Sequence, residues 1–375
     1  MMISRTLYQL IKPYFFQGKA IIISGPRQTG KTTLLKTILS DHPNALYLNC
    51  DEPDVRHNLQ NVSSTHLQAY IGNSSMILID EGQRIENIEI TIKLMVDNIP
   101  GIQLIVTGSS VIGLLDKIQE TLAGRKFTFH LYPFSCREIV DHHGLIAEKR
   151  LLAQRLIYGM YPDAVLKAGF QKEILTDIID SCLYKDLLVF NEIRKPDLIS
   201  KLLIALALQL GKEVSYLELA NTLKVSSLTV EKYIDLLEKV FVLFRLSSYS
   251  QNLRNELKKS KKIYFWDNGI RNALLGSFQP VDLRTDTGAL WENYVISERL
   301  KYNHYAHNYR KNYFWRTRTQ QEIDLIETTD EGISGYEIKW KSARKTAIPP
   351  GFAALYPQAG FATITPENFY SFVMP

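Results

Sequence analysis

The stretch AIIISGPRQTGKTTLLKTILS, residues 20–40, decides the fold. Its first five residues form an apolar, β-branched run, the composition of a strand buried on both faces. Residues 25–32 match GxxxxGK[ST], and Lys31 opens a helical pattern over 31–39. Gly25 and Gly30 let successive backbone N–H groups curl round phosphate oxygens with no Cβ in the way. The helix N-terminus adds partial positive charge, Lys31 reaches the β- and γ-phosphates, and the Thr32 hydroxyl is a candidate Mg2+ ligand. Gly25, Pro26, Arg27, Gln28, Thr29, Gly30, Lys31, Thr32 and Thr33 are therefore the candidate nucleotide-binding residues, with ATP and Mg2+ as the expected cofactors. The bland alternative is a glycine-rich turn before a helix. Strand, loop, lysine, hydroxyl and helix in the required order speak against it.

Working outward, residues 46–49, 76–80 and 103–107 are further short apolar runs, separated by helix-length sequence. Alternating strands and helices predict a parallel sheet covered on both faces. The run Met76 to Ile79 ends in Asp80 and Glu81. After a phosphate loop this reads as a Walker-B strand, with Asp80 at the Mg2+ shell and Glu81 polarising the attacking water. The strand 103–107 ends in Thr107, Gly108, Ser109 and Ser110, and Ser109 is the candidate for contact with the γ-phosphate or the lytic water. A plain strand-end turn explains it equally well.

Composition bounds the rest. The chain has 375 residues, 45% hydrophobic and 22% charged, which excludes disorder and coiled coil as the main architecture and predicts several domains. Cys50, Cys136 and Cys182 are widely spaced, which argues against a disulfide scaffold or a cysteine zinc site and for a reducing compartment. No signal-peptide pattern or membrane-length apolar run is present, so a soluble cytoplasmic protein without a membrane partner is expected. Residues 252–345 hold 17 Lys and Arg against 12 Asp and Glu, whereas the remainder is balanced at 27 against 27. This basic excess includes Lys258, Lys259, Lys261 and Lys262, and Arg310 to Arg318. It is either a solvated surface or a site for an anionic partner such as DNA.

GPRQTGKTT (25–33), LIDEGQ (78–83), TGSS (107–110), LAGR (122–125) and LYPFSCRE (131–138) together resemble bacterial and archaeal AAA-type ATPases that carry a C-terminal domain of uncharacterised role. The resemblance runs through nearly the whole chain. It implies an ASCE-type P-loop core, a winged-helix segment and a nuclease-like C-terminal fold. Arg125 is a candidate arginine finger, in cis or from a neighbouring subunit of a homo-oligomer, against the plainer reading of a surface arginine.

Residues 214–238 have helix-turn-helix spacing about Val225 and Ser226, with Ser226 or Ser227 capping the second helix. Leu217, Leu219, Ala220, Leu223, Val230, Ile234, Leu236 and Leu237 are the expected core positions, and Phe241 to Leu246 the expected wing. Glu231, Asp235 and Glu238 on the second helix argue against groove reading. Further on, Glu292 lies in a helical pattern, Asp324 in an alternating strand, and Glu337 and Lys339 on one face of another. An acid followed by ExK on neighbouring strands is similar to the PD-(D/E)xK nuclease fold. There Asp324, Glu337 and Glu292 would hold Mg2+ or Mn2+ with the Ile338 carbonyl, and Lys339 would position the attacking water. Any strand with one wet face shows the same alternation. Tyr313, Phe314 and Trp315 among arginines are either stacking platforms or core aromatics.

The expected organisation is an α/β multidomain chain: a P-loop ATPase core over 1–135, a helical lid or linker over 136–195, a winged-helix-like domain over 196–250 and a nuclease-like domain over 251–375. The expected function is ATP hydrolysis coupled to DNA binding or processing, with Mg2+-dependent nuclease activity attached. The alternative is a regulatory ATPase switch that binds a protein or DNA through a catalytically inactive nuclease-like domain.

Overall fold

The computed structural model describes residues 3–108, 121–183, 196–250, 261–341 and 347–374. They form two compact units, Met1–Pro133 with Lys239–Phe241, and Phe134–Glu238 with Val242–Pro375.

In the first unit the four expected apolar runs become β1 (Ala20–Ser24), β2 (Ala45–Asn49), β3 (Met76–Asp80) and β4 (Gln103–Gly108). A fifth strand, β5 (Lys126–His130), joins them, and all pair in parallel in the order β2-β3-β4-β1-β5. β5 was not legible as a strand because it is an edge: of its five residues only Phe129 is fully buried. β1, β3 and β4 are buried throughout, as a sheet covered on both faces requires. One face packs Ile22, Ile77, Ile79, Leu104 and Val106 with Leu67, Ile88, Ile92 and Met95 from the connecting helices. The register pairs Ile23 with Thr107 and Ile79 with Val106, so β1, β3 and β4 finish at one level. Polar residues at those carboxyl ends are thereby brought to one edge.

The second unit carries a seven-stranded sheet of β6 (Glu213–Val214), β7 (Leu243–Ser248), β8 (Lys261–Phe265), β9 (Lys311–Arg316), β10 (Glu322–Thr329), β11 (Gly332–Ile338) and β12 (Gly360–Ile364). Its order is β12-β11-β10-β9-β7-β8-β6. The sheet runs without a break across the expected division at 250/251, because β7 pairs with both β8 and β9. An apolar strand needs partners on both edges, and the later strands supply them. The helix Thr287–Tyr305 is buried along most of its length. Its Asn293 side chain accepts from the Phe265 N–H (2.7 Å) and donates to the Phe265 carbonyl (2.9 Å), fixing the helix to β8.

The helices Tyr216–Leu223 and Ser227–Lys239 occupy the expected helix-turn-helix positions. Ser215 caps the first, and Ser226 caps the second by accepting from the Thr229 N–H at 3.1 Å. Leu219, Ala220, Val230, Ile234, Leu236 and Leu237 are buried, but Leu217 is 65% exposed. Two residues of helix turn about 200°, so Leu217 cannot share the face of Leu219. Arg245 on β7 pairs with Asp235 (2.7 Å) and Glu238, which neutralises two of the acids expected on the surface of the second helix.

A buried ion network ties the helix Thr287–Tyr305 to β10. Glu327 accepts from Arg299 at Nε and Nη2 (both 2.8 Å), from Asn303 (2.7 Å) and from Arg310 (2.7 Å). Burial pushes the Glu327 carboxyl up, but these donors outweigh it and hold it below the usual carboxylate range. Such a group contributes its full stability above the unfolded carboxylate value and loses it as pH falls through the lower folded value. Glu327→Ala leaves Arg299 buried without its carboxylate and is expected to cost about 3–5 kcal/mol in denaturant unfolding of this unit. The gap between variant and wild type should narrow below about pH 4. A loss under about 0.5 kcal/mol would show that the network does not hold the helix to the sheet.

Candidate functional site

The loop after β1 is shaped by two glycines and clamped from outside. A Cβ on Gly25 would stand 2.1 Å from the Leu131 carbonyl oxygen, so only glycine permits that backbone approach. Gly30 caps the helix Lys31–Asp41 at φ +91°, a conformation that side chains avoid. Arg5, buried, donates through Nη1 to the Thr29 carbonyl and through Nη2 to the Tyr132 carbonyl (2.6 Å). Lys31 Nζ donates to the carbonyls of Gly25 (2.9 Å) and Pro26 (2.8 Å), and the Thr29 hydroxyl to Pro26 (2.8 Å). Thr32 and Thr33 sit in the first turn of the helix beyond. Gly25 to Thr33 thus stand together as the sequence predicts, at the carboxyl end of β1.

The acids of β3 meet them from the same edge. Asp80 is 2% exposed, yet both its oxygens are satisfied: Oδ1 accepts from the Thr107 hydroxyl (2.5 Å) and Oδ2 from the Tyr47 hydroxyl (2.8 Å). Thr107 Oγ1 also accepts the Glu81 N–H at 3.3 Å. Glu81 adopts φ +55°, uncommon for a residue with a side chain, and its Oε2 accepts from Gln83 Nε2 at 2.5 Å. Burial, then the Asp80 hydrogen bond and charge, push the Tyr47 hydroxyl well up, so it stays protonated and a donor. Burial, with the charges of Asp80, Asp51 and Glu81, pushes the Cys50 thiol up to about 12, leaving it no thiolate character.

This set fits a nucleotide with Mg2+. A glycine-shaped loop, a lysine and a hydroxyl at a helix N-terminus face a carboxylate oriented by two hydroxyls, and hard oxygen donors suit that ion. Sequence reasoning missed Arg5, Tyr47, Thr107 and Gln83. Thr107 lay inside the quoted strand end, but the pattern cannot choose among three hydroxyls in four residues. Ser109 lies outside the described residues. Arg125 is not brought to the site. Its carbonyl accepts from the N–H of Ala20, at the amino end of β1, and its Nε pairs with Asp97 at 2.7 Å. The phosphate loop leaves β1 at the opposite end, so a finger acting within the same chain is excluded by the run of the strand.

In the second unit Glu292, Asp324, Glu337 and Lys339 do converge. Asp324 Oδ2 accepts the Ile338 N–H at 2.8 Å, and Lys339 Nζ pairs with Glu337 Oε1 at 2.5 Å. Burial, then the charges of Glu292 and Glu337, push the Asp324 carboxyl well up. A fifth group stands among them. Lys262 Nζ pairs with Glu322, lies 3.3 Å from Glu292 Oε1 and 4.0 Å from Asp324 Oδ1, and is 2% exposed. Tyr264 donates to the same Glu292 oxygen at 2.6 Å. Among the described residues no three His, Cys, Asp or Glu side chains are arranged to hold one metal ion. As arranged, Glu292, Glu322 and Asp324 face the Lys262 ammonium, and Glu337 is paired with Lys339.

One expectation about the basic surface is corrected here. Lys262 is not on it. Arg316 is drawn to Glu213 (3.4 Å), Glu322 (3.5 Å) and Gln320, while Arg310 pairs with Glu327. Phe314 and Trp315 are buried and Tyr313 packs on Tyr249, so these aromatics are core and offer no stacking platform.

The chain is similar to known proteins in three segments. Residues 17–140 match the family described as AAA domain, 149–280 a Domain of unknown function (DUF8612), and 287–372 a Domain of unknown function (DUF4143). An uncharacterised protein of Mycobacterium tuberculosis is 28% identical over 331 residues, 86% of this chain and 70% of its own length. An uncharacterised protein of Methanocaldococcus jannaschii is 25% identical over 335 residues, 82% of this chain and 72% of its own. The solved structure of a Walker-type ATPase of Pyrococcus abyssi aligns with 73% of this chain and 96% of its own, at TM-score 0.50 and 15% identity, a likeness of fold. The match over residues 17–140 supports a P-loop ATPase domain in the first unit, with ATPase activity supported at the level of that family. No helix among the described residues is long and apolar enough to cross a membrane.

Thr107→Val keeps the shape of the side chain and removes the hydroxyl that joins Asp80 to the Glu81 backbone. Steady-state assay should find ATP turnover about 10- to 100-fold slower, with nucleotide affinity changed less than about threefold. Unchanged turnover would show that the hydroxyl does not position the acids.

Proposed function

We propose that the chain binds ATP with Mg2+ at Gly25–Thr33 and hydrolyses it with Glu81 as the residue that orients and polarises the attacking water. The carrying observation is the meeting, at one sheet edge, of the lysine-anchored loop with Asp80 and Glu81 joined through Thr107. Lys31 meets the β- and γ-phosphates, the loop amides hold their oxygens, and Thr32 and Asp80 hold the ion directly or through water. When bound, Mg2+ supplies neutralisation of charge on the phosphate oxygens. Gln83 holds the Glu81 carboxylate toward the loop that follows β3. If Arg125 serves as a finger, its position requires that it serve a neighbouring copy.

For the second unit the proposal is a winged-helix-like pair of helices built into a nuclease-like sheet that binds a partner, DNA or protein, without cutting DNA. The observation favouring it over DNA cleavage is Lys262, whose ammonium lies among the carboxylates that cleavage would assign to a metal. DNA binding would then rest on exposed cations such as Lys311 and Arg318 rather than on Arg310 and Arg316.

Lys31→Ala should lose nucleotide affinity, whereas Glu81→Gln should bind ATP and hydrolyse it at least about 100-fold more slowly. Wild-type turnover in Glu81→Gln would remove Glu81 from its role. Supercoiled, linear and single-stranded DNA should stay intact with Mg2+ or Mn2+, with and without ATP. Cleavage abolished by Asp324→Ala would overturn the non-cutting reading in favour of a DNA-processing enzyme.

A further inference from the structure

Lys262 sits on β8, whose two edges are both occupied: its backbone stands opposite Glu213 of β6 on one side and Leu246 of β7 on the other. Strand periodicity puts its side chain on the same face as Tyr264, and both reach Glu292. The ammonium continues to Glu322 and comes within 4.0 Å of Asp324, with the Phe314 ring 5.5 Å away. The stem is pinned, the head is buried, and three carboxylates from the helix Thr287–Tyr305 and from β10 face it. Glu337, which a metal would need beside Asp324, is taken by Lys339 instead.

We propose that Lys262 is the resident cation of this cluster and the residue that excludes a divalent ion from it. An ammonium gathers carboxylate oxygens at hydrogen-bond distance, about 2.8 Å. Mg2+ or Mn2+ requires several oxygens drawn to about 2.1 Å of one point. A divalent ion entering the cluster must displace the ammonium from carboxylate oxygens it already holds, and the pinned like charge, which little water screens, offsets part of the attraction the carboxylates exert. Lys262 is therefore a positioning residue. It holds Glu292, Glu322 and Asp324 in an arrangement that suits one positive charge on a fixed tether. The inference rests on the non-cutting reading of the second unit, and its test reads ion uptake rather than DNA cleavage, so the two fail separately.

The test is Mn2+ binding to the full chain without nucleotide, followed by electron paramagnetic resonance of the free ion. Wild type and Asp324→Asn should take up Mn2+ equally. Lys262→Met, of similar length and uncharged, should gain one ion bound at least about tenfold more tightly than any wild-type uptake at this cluster. That ion should disappear in Lys262→Met/Asp324→Asn, and Lys262→Arg should behave as wild type. An ion in wild type that Asp324→Asn removes would overturn the proposal, and this comparison does not depend on Lys262→Met folding. A folded Lys262→Met that gains no ion would overturn it equally.

Discussion

The Thr107 hydroxyl donates to Asp80 and accepts from the Glu81 backbone, and the arrangement of the first unit depends on that pair of bonds being possible. It requires β4 to lie beside β3 with their carboxyl ends level, and β1 to lie on the other side of β4 so that its loop opens at the same edge. A different strand order would leave Asp80 buried with its oxygens unsatisfied, which is costly for a charge at 2% exposure. The Tyr47 hydroxyl completes the second oxygen from β2. Three strands are thus coupled through one carboxylate, and the apolar faces of β1, β3 and β4 provide the burial that makes the position dry. Arg5 and the close approach of Gly25 to Leu131 hold the loop against the segment after β5.

Charge in the second unit is organised inward. Arg271 and Arg284 pair with Asp286, Lys301 with Glu298, Arg299 and Arg310 with Glu327, Arg316 with Glu213 and Glu322, and Lys339 with Glu337. Among the described residues, many of the cations counted in the basic segment are therefore engaged in ion pairs within the unit. Arg299 holds helix to sheet and Arg316 strand to strand, and breaking a buried pair such as Arg299–Glu327 is strongly destabilising. Lys262 belongs to the same pattern, and differs from Arg316, which also faces carboxylates of two elements, in being almost fully buried among three of them.

What the sequence made legible was local. The phosphate loop, its strand and the acids of β3 are patterns within ten residues, and each lies where its period predicts, whereas the alternation read around Asp324 does not persist, because β10 is buried from Ile323 to Glu327. What it hid was decided by residues far apart in the chain. β5 carries a mixed pattern because one face of an edge strand is wet, and nothing in its five residues marks a partner for β1. Arg125 looks poised for phosphate by its neighbours in sequence, but its position is set by pairing at the amino end of β1. Lys262 closes a run of cations and reads as surface, whereas its strand turns it onto Glu292 and Glu322. Tyr47 and Thr107 look like ordinary strand residues until Asp80 is placed between them.

The most direct measurement is a structure of the protein with Mg2+, ADP and a planar γ-phosphate mimic. The account predicts the mimic beside Lys31, with the Asp80–Thr107 bond intact and a single water between the mimic and the Glu81 carboxylate. Nucleotide bound away from the Gly25–Thr33 loop, or bound there with Glu81 turned away and no water on its carboxylate, would contradict it.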